Sequence, residues 1–271
     1  MAPLSQEILH MFRSLHIAAT GMVAQETTLD TIANNLANSN TVGYKRQEAQ
    51  FEDLLYQNIR PAGPGPAAGG GAPAGVQLGA GSRVVATSRF FTQGSIQQTG
   101  NPLDVAIEGN GFLAVNRPNG EISYTRSGNL RLDAQGRMVT TDGLPIEPLI
   151  TIPPEATNIN IAADGTISLT QPGQTNAVVI GQLNLVTFPN PDGLQAIGHN
   201  LFNATGASGQ PLSGIPGIDG RGTFLQGALE NSNVEVVQEM IGLIRAQRSY
   251  ELNSKVISAA DDMLRNATQM R

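Results

Sequence analysis

Forty residues without a proline, Ser232 to Arg271, limit what the rest of this chain can be. The stretch opens on Ser232-Asn233-Val234-Glu235, where a serine oxygen can cap a free helix N–H while the glutamate three residues on reaches back. Apolar residues then recur at helical spacing: Val237, Ile241 and Ile244, followed by Leu252, Val256, Ala260, Met263 and Ala267. As one helix the stretch would run to roughly 60 Å, longer than one small domain requires. Its stripe is narrow and is interrupted at Arg245, Gln247, Arg248, Ser249 and Glu251. Such a helix either packs on its own domain or needs partner helices to bury it, and the length favours partners.

A partner stands at the other end of the chain. Leu15, Met22, Leu29, Ile32 and Leu36 fall on one helical face running from about Phe12 to Asn38, with Ala18, Ala19, Ala33 and Ala37 keeping its flanks small. The predicted helix ends in Asn38-Ser39-Asn40-Thr41-Val42-Gly43, where asparagine and glycine leave helical geometry at little cost. Two amphipathic termini favour intermolecular bundling, because a single pair leaves much of each apolar face wet.

Composition narrows the partners. The 271 residues allow one or two compact domains, and a net charge of −6 argues against nucleic acid, which is bound by basic clusters. No run approaches the length of a transmembrane helix, and charges of both signs on the terminal helices do not make a basic membrane-surface face. The absence of cysteine removes disulfides and thiolate chemistry. The first residues lack a positively charged start, and Arg13 interrupts the only apolar run that follows, so no secretory signal peptide is expected. The residues before Met11 look unlike the helix after it and read as a loose extension or an upstream start.

After Gly43, the residues Phe51, Leu54, Leu55 and Ile59 fit either a short helix or an extended arm. Residues 61–75 are proline, alanine and glycine only, a composition that builds no core and suits either an exposed insertion or a plain linker. From about Arg83 to Thr223 short β-branched runs such as Val105-Ala106-Ile107, Ile167-Ser168-Leu169 and Val178-Val179-Ile180 alternate with turn pairs. The pairs are Asn110-Gly111, Asn119-Gly120, Asp142-Gly143, Asp164-Gly165, Asp192-Gly193 and Asp219-Gly220, which accept the positive φ of tight hairpins. The middle is therefore expected to be an antiparallel β domain.

Chemistry is sparse. Gly109-Asn110-Gly111 begins like a dinucleotide loop but lacks a third glycine and a following helix, and it reads as a hairpin turn. His10, His16 and His199 form neither a metal cluster nor a base beside a nucleophile. Asp133, Asp142 and Asp164 sit beside turn glycines, where carboxylates bond locally, although a glycosidase-type carboxylate pair is the competing reading. No cofactor is expected.

Ile32-Ala33-Asn34-Asn35-Leu36-Ala37-Asn38, followed by Thr41-Val42-Gly43-Tyr44-Lys45, resembles the N-terminal signature of bacterial flagellar rod and hook proteins. Glu230-Asn231-Ser232-Asn233-Val234 and Gln247-Arg248-Ser249-Tyr250-Glu251-Leu252-Asn253-Ser254-Lys255 resemble its C-terminal counterpart. Within the family, the length, Phe51-Glu52-Asp53-Leu54-Leu55-Tyr56-Gln57 and the run from Asp104 to Phe112 resemble the distal-rod branch. The resemblance implies a structural protein rather than an enzyme, exported unfolded through the flagellar export apparatus without a cleaved signal. It implies helical polymerisation with other copies, and contact with proximal rod proteins, hook protein and the periplasmic and outer-membrane ring proteins. Alternatives are a proximal rod or short hook subunit and, from another class, a secreted glycan-binding or hydrolytic β protein.

The expected fold is α+β: long N- and C-terminal α-helices forming a coiled-coil-like layer, with a central antiparallel β-rich domain. The expected divisions are 1–45, 46–95, 96–224 and 225–271. The resemblance points to Asn34, Asn35, Asn38, Gly43, Lys45, Asn233, Gln247, Arg248, Tyr250, Glu251 and Asn253 as motif residues. The expected assembly seam is Leu15, Met22, Leu29, Ile32 and Leu36 with Val237, Ile241, Ile244, Leu252, Val256 and Met263.

Overall fold

A computed structural model describes residues 3–60, 75–156, 158–171 and 177–269. All but the last residue of the Pro/Ala/Gly stretch at 61–75 lies outside the described residues. The chain divides into two compact units, one of Met1–Leu36, Gln47–Ser88 and Val236–Arg271, the other of Ala37–Arg46 and Arg89–Glu235.

The first unit holds both long helices, α1 (Pro3–Ala37) and α2 (Val236–Gln269), and four strands. These are β1 (Gln47–Asp53), β2 (Tyr56–Arg60), β3 (Val76–Gly79) and β4 (Ser82–Arg89), with β1 paired to β4 and β2 to β3. The Phe51–Ile59 run is thus an extended arm and not a short helix. The residues before Met11 continue α1, which starts at Pro3, rather than forming a loose extension. Proline suits a first helical turn because its missing N–H would have no partner there. At the other end, the expected cap at Ser232 is displaced. Ser232 Oγ instead accepts from the Val234 N–H at 3.3 Å, a local turn, and α2 starts only at Val236.

The second unit is antiparallel throughout its assigned ladders. Its strands are β5 (Ile96–Gln98), β6 (Val105–Glu108), β7 (Leu113–Asn116), β8 (Ile122–Thr125), β9 (Leu130–Leu132), β10 (Met138–Thr140), β11 (Ile146–Glu147) and β12 (Asn158–Ile161). They continue with β13 (Thr166–Thr170), β14 (Val178–Gln182), β15 (Leu185–Thr187), β16 (Gln195–Gly198), β17 (Leu201–Asn203), β18 (Leu212–Gly214), β19 (Thr223–Gln226) and β20 (Ala228–Glu230). The largest sheet has the order β11-β7-β8-β17-β16, and β12-β13-β14 makes a second.

Alternation along β7 explains why both faces of its sheet are buried. Leu113 enters one core with Val105, Ile107, Leu130, Met138 and Ile167, whereas its neighbours Phe112 and Ala114 enter a second with Tyr124, Phe188 and Phe202. In the second core Phe112 meets Phe91, Phe188 and Phe202 edge to face, the arrangement that ring quadrupoles favour.

The turn pairs divide by what they join. Asn119-Gly120 connects the paired strands β7 and β8, and Asp164-Gly165 connects β12 and β13. Asp142-Gly143 closes a tight turn in which the Thr140 N–H donates to the Leu144 carbonyl at 2.8 Å. Asp192-Gly193 ends a short 3-10 turn between β15 and β16, which pair with other strands, and Asp219-Gly220 lies between β18 and β19, which do not pair together. Gly109-Asn110-Gly111 is also not a hairpin, because β6 pairs with β19 while β7 pairs with β8 and β11. Period and turn residues announce a reversal, but the strand that pairs is chosen by the core.

Candidate assembly surface

Small residues set how α1 and α2 meet. A Cβ added to Gly21 would lie 3.0 Å from Asn253 Nδ2, one added to Gly242 would lie 3.3 Å from Ile32 Cδ1, and Asn35 Nδ2 donates to Glu239 Oε2 at 3.3 Å. These contacts keep one antiparallel register, since α1 advances from Gly21 through Ile32 to Asn35 as α2 retreats from Asn253 through Gly242 to Glu239. Burial on α2 follows the same face, with Glu239, Ala246 and Ala260 buried and Leu243, Asn253, Ile257 and Leu264 half-buried. Those positions recur at the alternating three- and four-residue spacing of one helical stripe.

The seam expected from the sequence lies on the other side of α2, although Ala260 of the wider apolar stripe is buried on the first face. Val237 is 63% exposed and Leu252 62%, and Ile241, Ile244, Val256 and Met263 are also exposed. Of the α1 residues, Ile32 is buried, whereas Leu15, Met22, Leu29 and Leu36 are half-buried. Gln247, Arg248, Tyr250 and Glu251 of the C-terminal motif are exposed as well, and Asn253 is half-buried against Gly21. α2 therefore carries two faces: a small and polar one turned to α1, and a larger apolar one turned outward.

The N-terminal motif residues hold backbone. Asn35 is buried, and its amide grips both polar atoms of Gln47: Nδ2 donates to the carbonyl at 2.8 Å, and Oδ1 accepts from the N–H at 2.9 Å. That two-point bond imitates a strand partner and fixes the start of β1 on α1, as only a side-chain amide with both donor and acceptor can do. Asn34 is exposed, and Asn38 is half-buried with its Oδ1 accepting from Thr41 Oγ1 at 3.1 Å. Gly43 has φ +70°, and a Cβ there would meet the Ser127 nitrogen at 2.8 Å, so both its conformation and its surroundings require glycine.

Lys45 enters the β unit as a charge. Its Nζ donates to Glu230 Oε1 at 2.6 Å and to the Thr92 carbonyl at 2.7 Å, while Arg126 Nε donates to Glu230 Oε2 at 2.7 Å. All three side chains are buried. The guanidinium also donates to the carbonyls of Gly111 and Gly109, which explains the conformation of the Gly109–Gly111 turn. Burial pulls the Lys45 ammonium below its ordinary pKa, and attraction to Glu230 opposes that pull. Burial alone would raise the Glu230 carboxyl, but Arg126 and then Lys45 outweigh it and hold the carboxyl below the ordinary glutamate range. Asn233 completes the cluster: its Oδ1 accepts from the Arg46 N–H at 2.7 Å, and Nδ2 donates to the Phe90 carbonyl at 2.8 Å. It is therefore a backbone clamp, not part of a helix cap.

Three family descriptions match successive parts of the chain: "Flagella basal body rod protein" over residues 15–45, "Flagellar hook protein FlgE/F/G D1 domain" over 106–169, and "Flagellar basal body rod FlgEFG protein C-terminal" over 225–270. Over 260 residues the chain is 49% identical to the flagellar basal-body rod protein FlgG of Buchnera aphidicola from Acyrthosiphon pisum, covering 96% of this chain and 100% of that one. It is 46% identical to FlgG of Caulobacter vibrioides, covering 96% and 99% of the two chains. It is 38% identical to FlgG of Bacillus subtilis, covering 96% and 100%. The chain belongs to the flagellar basal-body rod protein family. It is a structural subunit of the rod in the flagellar basal body, and among the described residues no helix is long and apolar enough to cross a membrane.

In this rod protein the sequence reading missed Arg126, Glu239, Gly21 and Gly242. Arg126 lies 104 residues from its carboxylate partner, and no local pattern marks that pairing. Gly21 and Gly242 are lone glycines inside helical patterns, a signal for close packing that could have been used.

Proposed function

We propose that this chain is a subunit of the distal rod, polymerising helically into the shaft that carries torque from motor to hook. The exposed apolar stripe on α2 carries this reading. Side chains such as Leu252, Ile244 and Met263 each contribute on the order of 1 kcal/mol more when a neighbour covers what one chain leaves wet. In this reading the terminal helices form a coiled-coil layer lining the tube, and the β unit forms the outer layer. Full-length similarity to FlgG proteins supports the distal assignment, as does the resemblance of Phe51–Gln57 to the distal-rod branch. The shaft would cross the periplasm and outer membrane and meet proximal rod proteins, hook protein and the ring proteins. Its subunits would arrive through the export apparatus without a cleaved signal. Electron microscopy of the purified protein, concentrated stepwise, tests the reading: straight tubes of uniform diameter are expected, and a protein that stays monomeric at every concentration overturns it.

A further inference from the structure

We infer that α2 of one copy docks antiparallel on the outer face of α1 of a neighbouring copy, within one residue of the register that joins the two helices inside a chain; this rests on the reading of the chain as a self-polymerising subunit. An open helical polymer needs two different surfaces that fit each other, because a surface that pairs with itself closes a dimer. The outward face of α2 supplies one, and α1 carries a matching exposed stripe opposite its Gly21 contact.

On α1 the exposed residues Phe12, Ala19, Val23, Glu26, Asp30 and Ala33 follow alternating helical spacing. Laid against the outward face of α2 in that register, Ala33 meets Ile241, Val23 meets Leu252, Ala19 meets Val256 and Phe12 meets Met263. At Ala33 and Ala19 a small side chain then faces a branched one, and Val23 with Leu252 and Phe12 with Met263 are apolar on both sides. The same register sets Glu26 against Arg248 and Asp30 against Arg245. Within one chain each helix places like charges one turn apart, which destabilises an isolated helix. All four groups are exposed, and none makes an ion pair among the described residues. The opposed pairing turns two repulsions into two attractions.

A groove gives the docking helix a seat. Between α1 and β4, residues His16, Ala19, Val23, Thr27, Ser82 and Val84 line an open groove of about 510 Å³. In the inferred register Leu252 and Val256 point into it.

The chain contains no cysteine, so introduced thiols report one contact at a time. The double variant Ala33→Cys with Ile241→Cys, polymerised and then oxidised, is expected to give a ladder of covalent oligomers. Ala33→Cys with Val256→Cys, which the register keeps apart, is expected to give none. Glu26→Arg alone and Arg248→Glu alone should each lower polymer yield tenfold or more, and the two together should restore it to within twofold of wild type. Polymers that form with no 33–241 ladder, or a combined charge swap that stays as low as either single change, overturn the register and leave the rod reading standing. A wild-type protein that never polymerises overturns the rod reading and the register with it.

Discussion

In the β unit the largest fully buried side chains include Ile107, Leu113, Leu130 and Met138, and even two charged groups, Lys45 and Glu230, are enclosed among them. In the helical unit the buried positions of α2 among the described residues are Glu239, Ala246 and Ala260, while Val237, Leu252 and Met263 stand outside. One unit completes its core within a single chain; the other leaves the larger apolar groups of α2 exposed. The contrast suits a subunit that must be a defined object before assembly and yet join many copies. Substitutions at four positions separate the two units, with an expected effect on the lone chain that falls from Glu230 through Gly43 and Asn35 to Ile244.

The largest effect is expected at Glu230. Glu230→Gln leaves the Lys45 ammonium and the Arg126 guanidinium buried without their shared anion, and removing one partner from a buried pair costs about 3–5 kcal/mol. The melting temperature of the β unit should fall sharply, while hydrogen exchange in α2 changes little. The pH dependence has a definite sign. A carboxyl held below its ordinary value of about 4.5 adds stability above that pH and loses it as pH falls through the depressed folded value. Wild type should therefore lose β-unit stability in acid, and Glu230→Gln should flatten that part of the curve. A variant as stable as wild type at pH 7 would show that the triad adds nothing net.

Next comes Gly43→Ala, which forces a Cβ into the left-handed region and within 2.8 Å of the Ser127 nitrogen. Strain of that kind costs on the order of 1–3 kcal/mol. Thermal unfolding followed by β-sheet circular dichroism measures it, and an unchanged midpoint would mean that the turn relaxes freely.

A smaller and more local loss is expected for Asn35→Ala, which removes both bonds to Gln47 and the contact to Glu239. About 1–2 kcal/mol should be lost from the helical unit alone. Faster exchange of the Gln47 amide with an unchanged β-unit melting point is the expected result, and equal loss in both units would place the clamp in the β fold.

What was legible in the sequence follows from the same contrast. Period and turn chemistry are local, so the terminal helices, the β region and the Asn119-Gly120 and Asp164-Gly165 hairpins could be read from neighbouring residues. The larger apolar residues of α2 drew the eye to the face that one chain leaves exposed. The face it covers is built from Gly242, Ala246, Asn253 and Ala260, which carry little hydrophobic signal; Ala260 reads as part of the larger apolar stripe, and Asn253 stands out only through the family resemblance. The ion triad was illegible for a different reason: Lys45 and Glu230 lie 185 residues apart, and only the folded sheet brings Arg126 between them. Even so, the family resemblance had already marked Lys45, Gly43 and Asn233 without saying why they mattered.

The smallest effect on the lone chain, and the sharpest separation of the two units, is expected for Ile244→Asp. Ile244 is 48% exposed on the outward face of α2, away from the Gly242 and Ala246 side that meets α1. An aspartate there stays solvated in the monomer, so its cost should remain within about 0.5 kcal/mol. In a polymer the same carboxylate would be enclosed between copies, at a desolvation cost of several kcal/mol that a pairing with Arg248 one turn on offsets only in part. Because the penalty recurs at each subunit contact, elongation should stop even though every monomer is folded. Ser254→Asp is the control, an equal charge on an exposed position away from both faces of α2, and it should still assemble. Monomer melting temperature and sedimentable polymer yield, measured together for both variants, decide the matter. If Ile244→Asp melts well below wild type as a monomer, the outward face is packed within the chain and the division between a closed and an open unit fails. If it melts normally and polymerises normally, that face is not the seam, and the copies must join elsewhere.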